Sequence, residues 1–166
     1  MSFDLPAQSA LWFLPFVLPV CLWVAWSDLR TMKIPNTAVL SLVAIYLVIG
    51  LIALPLADFG WRLTHLAALL AAGIVANAAG LMGAGDAKFI AAAGPFVALA
   101  DAAKVALLLA VMLVAGLIVH RIARASPLRG LAPGWASWQA KGKFPMGLAL
   151  GPTLAIYLGL AAFPAT

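Results

Sequence analysis

Glutamate is absent from this chain, and cysteine occurs once. Because that cysteine, Cys21, sits inside an apolar run, an intramolecular disulfide and a cysteine-rich zinc site are both excluded, and the thiol reads as a small buried hydrophobe. Charge is scarce as well: 9% of the 166 residues are charged, against 66% hydrophobic. A water-soluble domain carries about a quarter charged residues, so a soluble globular fold is excluded. The alternation over about ten residues that marks each strand of a membrane β-barrel is missing too. Two histidines, His65 and His120, stand far apart and are predicted at opposite membrane faces, so neither a metal nor a cofactor is expected. Residues 1–27 hold Asp4 but no Lys or Arg, so the positive region of a secretory signal is not seen and the first apolar run is expected to stay as a helix.

Continuous apolar runs remain, at about 9–27, 37–57, 63–82, 87–100, 103–120 and 144–164. Five approach the roughly 20 residues of a spanning helix, and 87–100 is short. The expected fold is all-α: a polytopic membrane protein of six transmembrane helices in one domain, residues 1–166.

The net charge of +5 is explained by location rather than by nucleic acid. Arg30, Lys33, Lys88, Arg121, Arg124, Arg129, Lys141 and Lys143 fall in alternate connections. The other connections hold only Arg62 and Lys104, alongside Asp4, Asp58 and Asp101. The positive-inside rule then places both termini on the outer (periplasmic) side and the 27–37, 82–88 and 121–143 connections in the cytoplasm. Trp12, Trp26 and Trp61 fall near span ends, where indoles prefer the interface, while Trp23 reads as packing. Small residues every fourth position, Ala72, Ala76 and Gly80 in the third run and Gly147, Gly151, Ala155 and Gly159 in the sixth, predict close helix contacts. The basic 121–143 loop carries Trp135 and Trp138, and reads as a surface-lying linker, a contact to anionic headgroups, or a cover over a site.

A carboxylate at a helix centre within the membrane costs about 2.5–3.5 kcal/mol, so such a group reads as functional by default. Asp4, Asp58 and Asp101 fall in the tail or outer loops, where a solvated charge is cheap. Asp28 and Asp86 remain, one closing the first run and the other opening the fourth, at matching membrane depth. Two facing carboxylates cannot both ionise easily and share a proton, so one is base towards a water while the other donates to a carbonyl oxygen. The helix dipole assigns the base to Asp86, at a helix N-terminus, and the protonated role to Asp28, at a C-terminus. Gly83 and Gly85 before Asp86 serve either positive φ and close approach of an extended peptide, or a plain helix–helix turn.

The stretches "SDLRTMKIPN" (Ser27–Asn36), "GAGDAKF" (Gly83–Phe89) and "KFPMGLALGP" (Lys143–Pro152), in this order, resemble the prepilin peptidase family, membrane aspartyl proteases of the G-x-G-D type. The resemblance runs from about Val24 to Gly159 and implies Asp28 and Asp86 as the catalytic pair. It implies type IV pilin-like precursors as substrates, cut on the cytoplasmic side between a short basic leader and a hydrophobic helix. Larger members also methylate the new N-terminus through a domain with paired Cys-x-x-Cys motifs; with only Cys21, no methyltransferase activity is expected. The short form is similar to the peptidases of tight-adherence (Flp) pilus systems, with the archaeal preflagellin peptidases as close cousins.

Around the pair, Ile34, Pro35 and Asn36 read as a helix start capped by Asn36 or as substrate contacts. Lys88 reads as a snorkelling anchor or an electrostatic partner of Asp86. Pro145 and Gly147 are expected to shape the entry of the sixth helix, and Asn77 to bond between helices. Two other readings compete. Presenilin-like and signal-peptide-peptidase-like proteases pair Tyr-Asp with a Pro-Ala-Leu motif, whereas here Ser27 precedes Asp28 and no Pro-Ala-Leu occurs. A small transporter or assembly scaffold would use the aspartates for a cation or proton, preferentially in helices broken at mid-membrane.

Overall fold

The computed structural model describes residues 3–140 and 142–164; Lys141, counted above in the basic 121–143 loop, and the extreme termini lie outside them. Six α-helices follow in order: α1 (Ala7–Thr31), α2 (Asn36–Ala53), α3 (Leu56–Ala78), α4 (Ala84–Ala93), α5 (Ala102–Ala125) and α6 (Gly147–Ala162). No strand occurs among the described residues. The all-helical expectation therefore holds, and the protein is a membrane protein.

The expected count of six spans is met in part among the described residues. Four helical stretches, α1, α2, α3 and 99–125 containing α5, are long and apolar enough to cross a membrane. With 10 residues in α4 and 16 in α6, these two rise about 15 Å and about 24 Å, against a hydrocarbon core of about 30 Å. Pro95 has no N–H to donate, and α4 gives way there to 3-10 turns at Gly94–Phe96 and Leu99–Asp101. Irregular backbone at membrane depth is tolerated only inside protein. Gly94, Pro95, Phe96 and Ala98 are accordingly buried, and the Ala98 N–H donates to the Tyr157 hydroxyl at 3.2 Å.

α1 and α6 form the centre and touch through glycine. A Cβ on Gly151 would collide with the Cys21 carbonyl oxygen, and one on Gly147 would come within 2.9 Å of the Asp28 Cβ. Gly159, the outermost of that series, faces open space. On α3 the predicted ridge is corrected: Ala72 and Gly80 face outward, and the contact residue is Gly73, where an added Cβ would lie 2.9 Å from the Ala87 Cβ of α4. Phe13, Tyr46, Phe59 and Phe96 fill the space between α1, α2 and α3, with Phe13 edge-on to Phe96 at 5.0 Å. Trp12, Trp26 and Trp61 are exposed, as interfacial residues would be, and so is Trp23, which was expected to pack inside.

Asp101 overturns its sequence reading. It is fully buried and accepts four hydrogen bonds: from the Asp4 and Leu5 amides at 2.9 and 3.2 Å, the Tyr157 hydroxyl at 3.0 Å and Lys104 at 2.8 Å. It is the knot that ties the N-terminal segment, the broken stretch after α4 and α6 together. Arg62, also expected in a loop, lies in the second turn of α3 because that helix starts at Leu56, and it is buried.

The 121–143 region folds back rather than lying flat. α5 extends to Ala125, so Arg121 and Arg124 are helical. Trp138 is buried, stacked on His120 at 5.0 Å, and its Nε1 donates to the Ala132 carbonyl at 2.8 Å.

Candidate active site

Asp28 is set by the way α1 stops. Met32 adopts a left-handed conformation (φ 55°) and its N–H still reaches the Asp28 carbonyl, while the Ser27 hydroxyl donates to the Lys33 carbonyl at 3.1 Å. A non-glycine residue in that region is uncommon and marks a constrained turn. The turn delivers Ile34, buried, beside Gly85, and Pro35 then opens α2.

Asp86 is set by a second glycine turn. α3 ends in a Schellman arrangement: Gly80 (φ 73°) donates to the Asn77 carbonyl and Leu81 to the Ala76 carbonyl. Asn77 is exposed and donates from Nδ2 to the Met82 carbonyl at 2.9 Å, which corrects its expected interhelical role to a local one. Gly83 precedes α4, so Asp86 falls in the first turn, where helix-end amides favour a negative charge.

Neither Gly83 nor Gly85 is there for positive φ. A Cβ on Gly83 would lie 2.7 Å from Asp86 Oδ2, and one on Gly85 would press Ile34 at 3.3 Å. Absence of side chains lets the Asp86 carboxylate fold over its own turn and lets the 31–35 loop close on α4. The same holds at Gly147, whose N–H donates to Asp28 Oδ2 at 2.7 Å and whose missing Cβ leaves room for that oxygen.

Both carboxylates line one cavity of about 640 Å³. Gly83, Gly85, Ile34, Asn36 and Lys88 line it too, so most of the sequence-picked residues come together. Pro35 and Pro145 do not reach its wall; they place Asn36 and α6. Asn36 is the first residue of α2 rather than its cap, and its Oδ1 accepts from Lys88 Nζ at 3.1 Å. Lys88 is thereby a bridge from α4 to α2, a role outside both readings offered for it. Met32, Lys33, Met82, Lys143 and Phe144 also line the cavity and were missed. Lys33 and Lys143 had drawn notice only as topology charges.

Burial pushes the Asp86 carboxyl up to about 6, and the Asp28 charge across the cavity adds to this; the Gly83 amide works the other way. The dipole contrast expected from sequence is undone, because the N-terminus of α6 comes to Asp28 through Gly147. Each carboxylate then has a main-chain amide beside it. Two carboxylates lining one cavity supply the groups that acid–base hydrolysis needs. The described residues contain no cluster of metal-ligating side chains.

Fold and cavity together define a helical membrane protein with an acidic pair in a half-polar pocket at one end of its bundle. Residues 15–120 match the type IV leader peptidase family, and the chain belongs to it. It is therefore a peptidase of the membrane. The match takes in Asp28 and Asp86, whereas Lys143–Pro152 lies beyond it. Neither the curated proteins nor the solved structures contain a match to this chain.

Proposed function

We propose that the protein is an aspartyl endopeptidase of the cell inner membrane that removes the leader of type IV pilin-like, Flp-type precursors at the cytoplasmic face. One observation carries this: Asp28 and Asp86, from helices separated by over fifty residues, face a single cavity. One carboxylate takes a proton from water, which attacks the scissile carbonyl carbon, while the other gives its proton to the carbonyl oxygen. The tetrahedral gem-diol then collapses: the first carboxyl passes the water's proton to the leaving nitrogen as the C–N bond breaks, and the second takes back a hydroxyl proton, which restores the starting pair. The pair titrates as a unit, so base and acid are roles of the dyad. The cytoplasmic placement rests on the clustering of Arg30, Lys33, Lys88, Arg121 and Lys143 at this end, and on the positive-inside rule. With a single cysteine in the chain, the activity is peptide hydrolysis without methylation. The exposed Leu128, Arg129 and Leu131 form the part of the basic loop that meets anionic headgroups.

The test is cleavage in membranes of a tagged Flp-type prepilin co-expressed with wild type, Asp28→Asn or Asp86→Asn. A size shift with wild type and none with either variant, at equal expression, supports the reading. Cleavage by both variants overturns it.

A further inference from the structure

Beyond the acidic pair the bundle has a gap. α4 is too short to fill the membrane alongside α3 and α5, and between those two helices runs an apolar groove of about 410 Å³. Its floor is Ile90, Ala93 and Val97 with Leu150 and Leu154 of α6. α3 contributes Ala68 and Leu69 to one wall, and α5 contributes Ala102, Val105 and Ala106 to the other.

We infer that this groove seats the hydrophobic helix of the substrate, so that the peptide bond just ahead of that helix is presented to Asp28 and Asp86. The inference rests on the peptidase reading above and names the subsite for the half of the substrate that the acidic cavity does not hold.

Three features select a helix as occupant. First, the groove and the acidic cavity meet the same helix one turn apart: Asp86 lines the cavity and Ile90, at i+4 on α4, lines the groove, a rise of about 6 Å. Second, its lining is small where a partner would press closest. Ala68, Ala93, Ala102 and Ala106 let a helix backbone approach, as small residues do at transmembrane contacts, whereas a lipid chain has no use for them. Third, α3 and α5 are the least buried of the four long apolar helices, so most of their surface is uncovered by this chain. The change from a half-polar cavity to a groove whose lining is apolar but for His65 and Thr153 matches a substrate that changes at its scissile bond from polar leader to apolar helix.

The experiment places a photo-crosslinking phenylalanine analogue at Ala102, Ala106 or, as an outward-facing control, Val114, in the full chain carrying Asp86→Asn so that substrate is retained. A tagged Flp-type prepilin is the probe. Cross-links from 102 and 106 but not from 114 are expected. In parallel, Ala106→Trp in the otherwise wild-type chain should raise KM for the full prepilin about tenfold or more, while leaving hydrolysis of a leader peptide that ends a few residues past the cleavage site unchanged. Cross-links to lipid or to a second copy of the chain in place of prepilin overturn the inference, as does an Ala106→Trp chain that cleaves both substrates like wild type or loses both equally. If cross-links form while wild type cleaves nothing, the groove stands and the hydrolytic reading falls. If wild type cleaves and the groove residues never meet prepilin, the reverse holds.

Discussion

The two ends of the bundle each hold buried or half-buried aspartate, and they treat it in opposite ways. At one end Asp101 is sealed from solvent and saturated by two amides, a hydroxyl and an ammonium. At the other, Asp28 has one main-chain donor, Gly147, and Asp86 leans over Gly83 at the edge of an open cavity. A carboxylate with every lone pair engaged is a fastener, because nothing is left to exchange protons with. One that is partly desolvated and under-bonded holds its proton near neutrality and can pass it on. Burial alone does not tell the two apart. Donor count does.

The sharpest way to break this contrast is to neutralise each aspartate in turn. Asp28→Asn or Asp86→Asn should lower prepilin cleavage by about a thousandfold or more, since a dyad loses its function with either member. Asp101→Asn should leave turnover per folded molecule within about twofold. If Asp101→Asn abolishes cleavage by correctly folded protein, the division into fastener and reactive pair is wrong.

Stability should show the mirror image. Asp101→Ala strands a hydroxyl and two amides and leaves Lys104 with Asp4, at a cost of about 3–5 kcal/mol; Tyr157→Phe removes one of these bonds together with the one from the Ala98 N–H and should cost about 1–2 kcal/mol. Denaturant or thermal unfolding in detergent would measure both. Gly147→Ala should be intermediate, since its new Cβ would meet Asp28 Cβ at 2.9 Å and Oδ2 at 3.1 Å. A displacement of that kind predicts a fall in kcat of about ten- to a hundredfold. A steady-state assay giving wild-type kcat would remove Gly147 from the site.

The pH response distinguishes the ends more finely. With Asp86 raised from 3.8 to about 6, its ionisation opposes folding: the stability it contributes is complete below about pH 4 and is lost as pH rises through about 6. Asp86→Asn should therefore unfold later than wild type at pH 7–8, with the advantage gone by pH 4, although it is inactive. The Asp28 charge is part of what raises Asp86, so the pair takes up its first proton near pH 6, and the alkaline limb of cleavage should fall there. The smallest effect belongs to Lys88→Met, which breaks only the exposed bridge to Asn36 and should change cleavage by about twofold or less.

Which of these groups could be found by reading the chain followed from distance along it. Asp28 and Asp86 were legible because their place at the ends of apolar runs, and the motifs around them, are local signals. The glycines were legible as positions but not as reasons: only the fold shows that Gly83 and Gly147 make room for carboxylate oxygens. Asp101 was misread because three of its four donors come from residues 4, 5 and 157, and only Lys104 lies near it in sequence. Lys33, Lys143 and Phe144 reach the cavity through turns whose closure depends on Met32 and Gly147, again beyond the reach of periodicity. That only four helices reach spanning length has a simpler reason. Hydropathy adds up residues, while Pro95 ends α4 whatever the hydropathy around it.

The brevity of α4 also bears on the lipid around the protein. With α4 rising about 15 Å and α6 about 24 Å, the face between α3 and α5 is shorter than a bilayer core of about 30 Å. Mismatch of this kind is relieved by thinning of the adjacent lipid, at a cost of fractions of a kcal/mol per Å. Acyl-chain length thus becomes a variable of the enzyme. Thin bilayers bring the headgroup region, and its water, level with Asp28 and Asp86, and thick ones draw it away from them.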